Sequence, residues 1–272
     1  MNRALLVGIN KYPGSPLSGC VNDVTDMAEF LVDRCGFKSS DIRMIVDGRA
    51  TTKAISTRLA WLVRGAKAGD RLLFHYSGHG AQVATRNANE ELDGRDEVIC
   101  PVDFDWSDEH LIRDKQFHEL FQTIPDGVEF NWVSDSCHSG DLDRELPHPG
   151  QHLPLSKRML PPADIQWRNR AAVESKVELR GLVRVAQELN LGLITGCRSD
   201  QTSADAWFSD RPNGALTYYL LRALESPAGL KEPLAHLIPA VRSALKRAGY
   251  SQQPQLEGSA TVGKMPFLTL GK

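Results

Sequence analysis

Short apolar runs alternate with segments of helical periodicity along the first third of the chain. Runs at 4–9, 42–46 and 71–76 have the length and composition of buried strands. Between them, apolar side chains recur at helical spacing over 22–35 and 52–66. An order of strand, helix, strand, helix, strand predicts a parallel sheet whose crossover connections are helices.

The same two patterns continue beyond residue 76 and predict a larger sheet of the α/β class. Further strands are expected at 98–101, 128–134 and 191–195, and helices at 115–122, 215–224 and 234–248. A glutamine-rich segment at 251–256 has neither pattern and is expected to be a loop.

A segment in the middle of the chain interrupts this regularity. Over 141–178 the apolar periodicity is lost, while prolines and basic residues accumulate. A segment of this length without regular pattern is typical of a functional or flexible insertion. We therefore expect one domain over 1–272, in which an insertion at 141–178 separates a part at 1–140 from a part at 179–272.

Composition excludes several classes of protein. The chain has 272 residues, with 32 lysines and arginines against 34 aspartates and glutamates, and a formal net charge of −2. Such a balance argues against nucleic acid or an anionic membrane as the main partner. No apolar run approaches the roughly 20 residues of a membrane span. The first apolar stretch is too short for a signal peptide, so we expect a cytoplasmic protein.

The cysteines are expected to be free thiols. There are five of them, an odd number, widely scattered and never spaced as CxxC. This argues against a disulfide framework and against a cysteine-rich zinc site. A buried cysteine is usually a small apolar side chain, and this is the expected role of Cys35, Cys100 and Cys197.

Cys137 stands in a different environment, because its neighbours are small or polar. It lies in the sequence DSCHSGD at 135–141, directly after a predicted strand, and SGHG at 77–80 follows another. Chemistry in open α/β sheets is found past the carboxyl ends of strands. A nucleophilic thiolate needs a base or an imidazolium within reach, and His79 is the expected partner. The amide groups of Gly80 and Cys137 are the expected donors to an oxyanion.

Other assignments of this chemistry are weaker. His75 and His138 are rival bases, although His75 is expected to point inward from a strand and His138 adjoins the nucleophile. A cysteine phosphatase needs an arginine six positions after its cysteine, where this chain has Asp143. A zinc hydrolase of the HExxH type needs a glutamate that does not accompany His75 and His79.

Six segments together resemble the caspase-like cysteine peptidases of family C14, and most closely the metacaspases and orthocaspases. The segments are LLVGIN at 5–10, LSGCVND at 17–23, HYSGHG at 75–80, DGRDEVICPVD at 93–103, DSCHSG at 135–140 and QQPQLEG at 252–258. The resemblance implies a three-layer α/β/α sandwich around a mostly parallel six-stranded sheet. It also implies a cysteine endopeptidase that works through an acyl-enzyme. True caspases have Gln-Ala before the cysteine, and this chain has Asp135-Ser136.

This departure bears on the substrate. By the resemblance, the pocket for the residue before the scissile bond falls on Cys20, Asp23, Ser77 and Asp135. Two carboxylates beside a narrow pocket favour arginine or lysine and repel aspartate. The expected partners are therefore proteins or peptides with a basic residue before the scissile bond. As in most metacaspases, a monomer is expected.

A metal site is also implied by the resemblance, because many metacaspases need calcium. The candidate ligands are Asp93, Asp96, Asp114 and Asp143. However, Lys115 stands where the family pattern has a second acidic residue. Solvated turn acids are therefore the favoured interpretation, and no cofactor is expected to be required, although calcium stays a candidate.

The insertion occupies the place of the linker between the large and small subunits of the family. Its pair Lys157-Arg158 is expected to be exposed and is a candidate site of autoprocessing, with an uncleaved surface loop as the alternative. Two further questions stay open at this point. His79 can act mainly as general base or as general acid, and the domain can be a catalytically silent scaffold instead of a peptidase.

Overall fold

The computed structural model describes residues 1–84, 95–138, 153–169, 191–198 and 201–268. Asp93, Asp141 and Asp143 lie outside the described residues. Among the described residues, no helix is long and apolar enough to cross a membrane.

Helices and strands alternate along the first half of the chain, as the apolar pattern predicts. The strands are β1 (Asn2–Gly8), β2 (Ile42–Val46), β3 (Arg71–Ser77), β4 (Gly80–Ala84), β5 (Arg95–Ile99), β6 (Ile112–Arg113), β7 (Glu129–Asp135), β8 (Leu155–Ser156), β9 (Gly192–Thr195), β10 (Ala204–Phe208), β11 (Arg211–Gly214) and β12 (Gln255–Glu257). The helices are α1 (Cys20–Cys35), α2 (Thr52–Val63), α3 (Asp114–Phe121), α4 (Ala163–Asn169), α5 (Ala215–Glu225), α6 (Leu234–Arg247) and α7 (Ala260–Lys264).

Six strands form the central sheet, in the order β12-β9-β7-β3-β1-β2. All neighbouring pairs are parallel except β12 and β9. The expected six-stranded, mostly parallel sheet is confirmed. In the register of the central strands, Gly8 pairs with Ser77 and Ser77 pairs with Asp135. The carboxyl ends of β1, β3 and β7 therefore lie side by side.

Two hydrophobic cores, one on each face of the sheet, give the fold its three layers. Alternate residues of a strand point to opposite faces, so Leu72 and Phe74 join one core while Leu73 joins the other. The first core is closed by α2 and α3, and the second by α1, α5 and α6. This is why the strands of the sheet read as continuous apolar runs.

Two small antiparallel sheets flank the central one, and the apolar pattern predicts one of their strands, β5, with bounds at 98–101. They have the orders β4-β5-β6 and β11-β10-β8. The expectation of no regular structure in the insertion is wrong where it is described, because β8 and α4 lie there. The loop expected at 251–256 is wrong at its end, where β12 begins. Strands of two or three residues show no periodicity of their own, since a distant partner strand stabilises them.

An aromatic cluster on the first core offers a test of this packing. The ring of Trp132 is fully buried, with centroids 4.5 Å from Phe117, 5.5 Å from Phe74 and 5.7 Å from Phe121. We expect Trp132→Ala to lower the free energy of unfolding by about 3–5 kcal/mol, because the cavity cannot collapse fully. Urea denaturation measures this. Trp207 is 43% exposed, and Trp207→Ala should change the value by about 0.5 kcal/mol or less. Equal losses in the two variants would contradict the assignment.

Candidate active site

The two polar loops that follow β3 and β7 meet at one edge of the central sheet. Ser77, the last residue of β3, pairs with Asp135, the last residue of β7. His79 and Cys137 each follow two residues later. Parallel sheets place ligands at this edge. The structure thus brings together the loops that carry the expected nucleophile and its partner.

The imidazole of His79 is held through one of its two nitrogens. Nε2 lies 2.8 Å from the Ser15 carbonyl oxygen and 3.2 Å from Ser15 Oγ. Because a carbonyl oxygen only accepts hydrogen bonds, Nε2 carries the proton of the neutral ring. Nδ1 is buried and makes no hydrogen bond with any described residue. The neutral imidazole therefore keeps an unprotonated nitrogen that can accept a proton.

Two tyrosines fix the backbone of His79. The hydroxyl of Tyr76 donates to the His79 carbonyl at 2.6 Å, and the His79 amide donates to the hydroxyl of Tyr12 at 3.1 Å. The two hydroxyls lie 3.1 Å apart, and the rings of Tyr12 and His79 pack with centroids at 4.6 Å. Both tyrosines are buried, so this network holds the histidine in a dry and rigid setting.

Burial also decides the charge of His79. It lowers the pKa of the imidazole from 6.5 to about 4, because the charged form loses hydration. The neighbouring backbone groups of Ser15 and Lys157 raise the pKa, and the ammonium of Lys157 lowers it again. At neutral pH the ring is uncharged.

Two amide groups converge on a single oxygen next to Cys137. The N–H groups of Gly80 and Cys137 donate to the carbonyl oxygen of Lys157 at 3.0 and 3.2 Å. Gly80 and Cys137 are the two oxyanion donors expected from the sequence, and an oxyanion hole requires two amides that converge on one oxygen. The Cys137 thiol itself is buried, and the Ser203 amide donates to its Sγ atom.

The expectation that Lys157 is exposed is wrong. Its side chain is wholly buried, and Nζ lies 2.8 Å from Ser77 Oγ, 3.2 Å from Asp23 Oδ2 and 3.1 Å from Asp135 Oδ1. These partners are three of the four predicted pocket residues. An ammonium is buried only where it is paired, and its partners here come from three distant segments. Local sequence around Lys157 therefore could not reveal its burial.

The carboxylates of the pocket differ in their electrostatic setting. Burial raises the pKa of Asp23 to about 6, although Lys157 acts to lower it. Burial also acts to raise the pKa of Asp135, but the Lys157 ammonium and hydrogen bonds from Thr217 and Ser203 bring it below its usual value. Asp135 accepts from the Thr217 amide and hydroxyl at 2.9 and 2.8 Å. Asp135 is therefore the more firmly ionised partner of the lysine.

The remaining walls of the pocket are small. Cys20 is fully buried, and its pKa is raised by that burial, so it stays a neutral thiol. The Gly214 amide donates to both oxygens of Asp23, at 2.8 and 3.0 Å. A Cβ atom at position 214 would collide with Lys157 Nζ and with both carboxylates. The missing side chain at Gly214 thus leaves room for the ammonium.

Three residues around the pocket, Ser203, Asp205 and Gly214, are not among those predicted from the sequence. Ser203 donates through its hydroxyl to Asp135 at 2.7 Å, and Asp205 accepts from the amides of Ser18 and Gly19 at 2.6 and 2.8 Å. Gly214 is the third. Ser203 and Asp205 belong to a run of small and polar residues that follows β9. The strand-end rule that located Cys137 therefore offered a signal for them.

The rival histidines have other partners. His75 is fully buried, its Nε2 lies 3.2 Å from Thr217 Oγ1, and burial lowers its pKa to about 3. His138 places Nδ1 3.0 Å from the Val98 carbonyl oxygen. His75 points into the second core, as the sequence predicts, and each of the two rings has the hydrogen-bond partner named here.

The described candidates for a calcium site do not fit one as they stand. Asp96 is buried and forms ion pairs with Arg113 and Lys115. The positive charges of these two side chains would repel a calcium ion at Asp96. Asp114 accepts a hydrogen bond from the Lys115 amide. The described residues contain no cluster of three or more His, Cys, Asp or Glu side chains suited to a metal ion. The other candidates, Asp93 and Asp143, lie outside these residues.

Comparison with known families identifies related sequences. The sequence model of the metacaspase peptidase C14 domain matches residues 2–144. Metacaspase-1 of Scheffersomyces stipitis is 34% identical over 94% of this chain and 70% of its own length. Metacaspase-1 of Cryptococcus neoformans is 32% identical over 94% of this chain and 62% of its own length. The chain thus spans about two thirds of the length of these relatives.

Solved structures support the fold. A crystal structure of protein GSU0716 from Geobacter sulfurreducens is similar over 100% of this chain and 99% of its own, with a TM-score of 0.70 and 26% identity. Caspase-1 of Spodoptera frugiperda is similar over 97% of this chain and 90% of its own, with a TM-score of 0.57 and 12% identity. The second likeness bears on the fold alone, which is caspase-like.

The two kinds of histidine environment predict different titrations. In a Cys137→Ala chain, which lacks the expected nucleophile, we expect His79 to stay neutral as the pH falls and to protonate only near pH 4, because burial disfavours its charged form. Imidazole NMR signals, assigned by comparison with His79→Asn, measure this. His110 serves as the internal control, since its exposed ring pairs with Asp105 and its pKa is raised. A His79 signal that titrates with that of His110 would contradict the environment described.

Proposed function

This chain belongs to the metacaspase family and is a cysteine-type endopeptidase, and we propose that it cleaves peptide bonds after arginine or lysine through Cys137 and His79. The observation that carries this proposal is the position of Lys157. One residue places its side chain between two carboxylates and its carbonyl oxygen between two amides beside the thiol. These are the contacts that a basic residue before a scissile bond requires.

The backbone around Lys157 supports the same interpretation. Its amide donates to the Ser203 carbonyl at 3.1 Å, and β8 pairs antiparallel with β10 just before it. On the other side, the Met159 amide donates to the Gly80 carbonyl at 2.8 Å. The chain therefore passes through the site in an extended form, with backbone hydrogen bonds on both sides of the Lys157–Arg158 bond. Peptide substrates commonly bind to enzymes and domains in this extended form.

The proposed mechanism is acyl transfer. The unprotonated Nδ1 of His79 takes the thiol proton, and the Cys137 sulfur attacks the carbonyl carbon of the basic residue. The amides of Gly80 and Cys137 hold the negative charge that develops on the carbonyl oxygen. The intermediate then expels the amine, which takes its proton from His79. Water releases the acyl group and regenerates the thiol. The neutral state of His79 at pH 7 supports its role as base in the first step and as acid in the second.

Substrate selection tests the role of the pocket. We expect peptides with arginine or lysine before the scissile bond to be cleaved and those with aspartate to be rejected. In Asp23→Asn, kcat/KM for the basic peptides should fall by about 30-fold, which is about 2 kcal/mol for the loss of one buried charge partner. Fluorogenic peptides that differ only at this residue provide the measurement.

A matched variant separates this effect from a general loss of charge. Asp33 lies exposed on the same helix, α1, and Asp33→Asn should leave the selectivity unchanged. Equal cleavage of arginine and aspartate peptides by the unaltered chain would contradict the proposed specificity. Activity that survives Cys137→Ala would contradict the proposed nucleophile.

Autoprocessing follows from the same contacts. Because the Lys157–Arg158 bond already lies in the site, we propose that the chain cuts this bond in itself. An intramolecular reaction needs no encounter between molecules, so its rate constant should not depend on protein concentration. Until the cut is made, Lys157 occupies the pocket that a substrate needs. The uncut chain is therefore latent.

Mass spectrometry of the purified chain tests this proposal. We expect fragments that end at Lys157 and begin at Arg158, and none from Cys137→Ala. Lys157→Ala should stay uncut at this bond, because alanine offers no charge to Asp23 and Asp135. Lys157→Arg should still be cut, and this variant guards against a loss of folding as the explanation.

Arg158→Ala serves as the matched control. It removes the neighbouring positive charge but leaves Lys157 in the pocket, so cleavage after residue 157 should persist. Loss of the cut in Arg158→Ala with retention in Lys157→Ala would contradict the assignment. A cleavage rate constant that rises in proportion to protein concentration would contradict the intramolecular reaction.

A further inference from the structure

A second cysteine lies against the expected nucleophile. Cys197 follows β9 as Cys137 follows β7, and the two strands are adjacent and parallel. Their register pairs Ser134 with Thr195, and the Gly196 amide continues the ladder to the Ser134 carbonyl at 3.0 Å. Extending this register by two residues sets Ser136 opposite Cys197, so Cys137 comes one residue after the position opposite Cys197. The Sγ atoms lie 3.1 Å apart.

The short distance between the two sulfur atoms suits a disulfide. The S–S bond of a disulfide is about 2.05 Å long, so the two Sγ atoms, now 3.1 Å apart, would have to approach by about 1 Å. Neither of these two cysteines is in a disulfide, and both side chains are buried. A small movement of the sulfur atoms is therefore all that a bond between them requires.

We propose that Cys137 and Cys197 form a reversible disulfide when the protein meets a hydroperoxide, and that this bond switches the peptidase off. The proposal rests on the role of Cys137 as the nucleophile. A sulfur atom bonded to Cys197 cannot attack a carbonyl carbon. The position of Cys197 thus makes it a resolving thiol for the nucleophile.

The chemistry proceeds in two balanced steps. The Cys137 thiolate attacks one peroxide oxygen, and the O–O bond breaks to give a sulfenic acid on Cys137 and an alcohol. The Cys197 thiolate then attacks the Cys137 sulfur, and the S–O bond breaks with release of water. In sum, two thiols and one hydroperoxide give one disulfide, one alcohol and one water. The two electrons lost by the thiols reduce the peroxide.

The proximity of Cys197 also protects the nucleophile. A sulfenic acid without a nearby thiol is oxidised further to sulfinic and sulfonic acids, which ordinary thiols do not reduce. Capture by Cys197 stops this sequence at a disulfide that a dithiol reverses. The Lys157 segment adds an order of events, because Cys137 is 1% exposed while Lys157 fills the site. The uncut chain should therefore oxidise more slowly than the cut chain.

Peptide mapping after brief treatment with hydrogen peroxide tests the bond directly. In the cut chain we expect a peptide pair joined between Cys137 and Cys197, lighter by two hydrogen atoms than the sum of the reduced peptides. Peptidase activity should be lost in parallel and restored by dithiothreitol. In Cys197→Ser the activity should also be lost, but dithiothreitol should fail to restore most of it.

Cys35→Ser is the matched control, since Cys35 is another buried thiol, at the end of α1. It should behave as the unaltered chain does. Full recovery of Cys197→Ser with dithiothreitol, or oxidation of Cys137 to sulfinic acid without the joined peptide, would overturn the proposal. Peptide mapping detects the disulfide without measuring activity. If the chain forms the disulfide but cleaves no peptide, the proposed peptidase function is contradicted, whereas formation of the disulfide is supported.

Discussion

One buried ammonium organises the edge of the sheet where the loops meet. The Nζ atom of Lys157 lies about equally far from Asp23 and Asp135, and none of the three side chains is exposed to water. Removing charges from water costs several kcal/mol for each ion, and mutual attraction offsets this only when the remaining oxygens are also satisfied. Here they are, because Thr217, Ser203 and Gly214 donate to them. Segments from four parts of the chain are thereby fixed around one cation.

The sheet edge explains why these partners can meet. Parallel strands end together, so short loops after β1, β3 and β7 deliver side chains to the same place from positions far apart in sequence. The imidazole of His79 gains its orientation from the Ser15 carbonyl and its backbone position from Tyr12 and Tyr76. The imidazole of His79 and the amides of Gly80 and Cys137 are therefore fixed by backbone contacts, and the proposed specificity rests on the few side chains of the pocket.

Much of this arrangement could be predicted from sequence, for a physical reason. Strands buried on both faces are runs of apolar residues, so the apolar pattern predicts β1, β3, β7 and β9. A polar loop directly after such a run indicates His79 and Cys137. The local apolar pattern does not predict the short strands β8, β10 and β11, because their stability comes from distant partner strands. The sequence predicts an exposed Lys157, because an isolated lysine is usually found at the surface. Its burial depends on carboxylates that only the fold brings near, and the roles of Ser203, Asp205 and Gly214 depend on the same proximity.

Under the proposed function, the pairing of β8 with β10 also limits which bonds in a folded target are open to attack. A segment that takes the place of β8 must lie extended and offer its backbone amides and carbonyls to the edge of another strand. A lysine within a helix of the target satisfies its backbone internally and must first unwind, at a free-energy cost set by the local stability of that helix. The rate of cutting therefore depends on how often a target opens locally as well as on its sequence. Flexible loops and disordered segments should be cut first, and a stable domain with many surface lysines should resist.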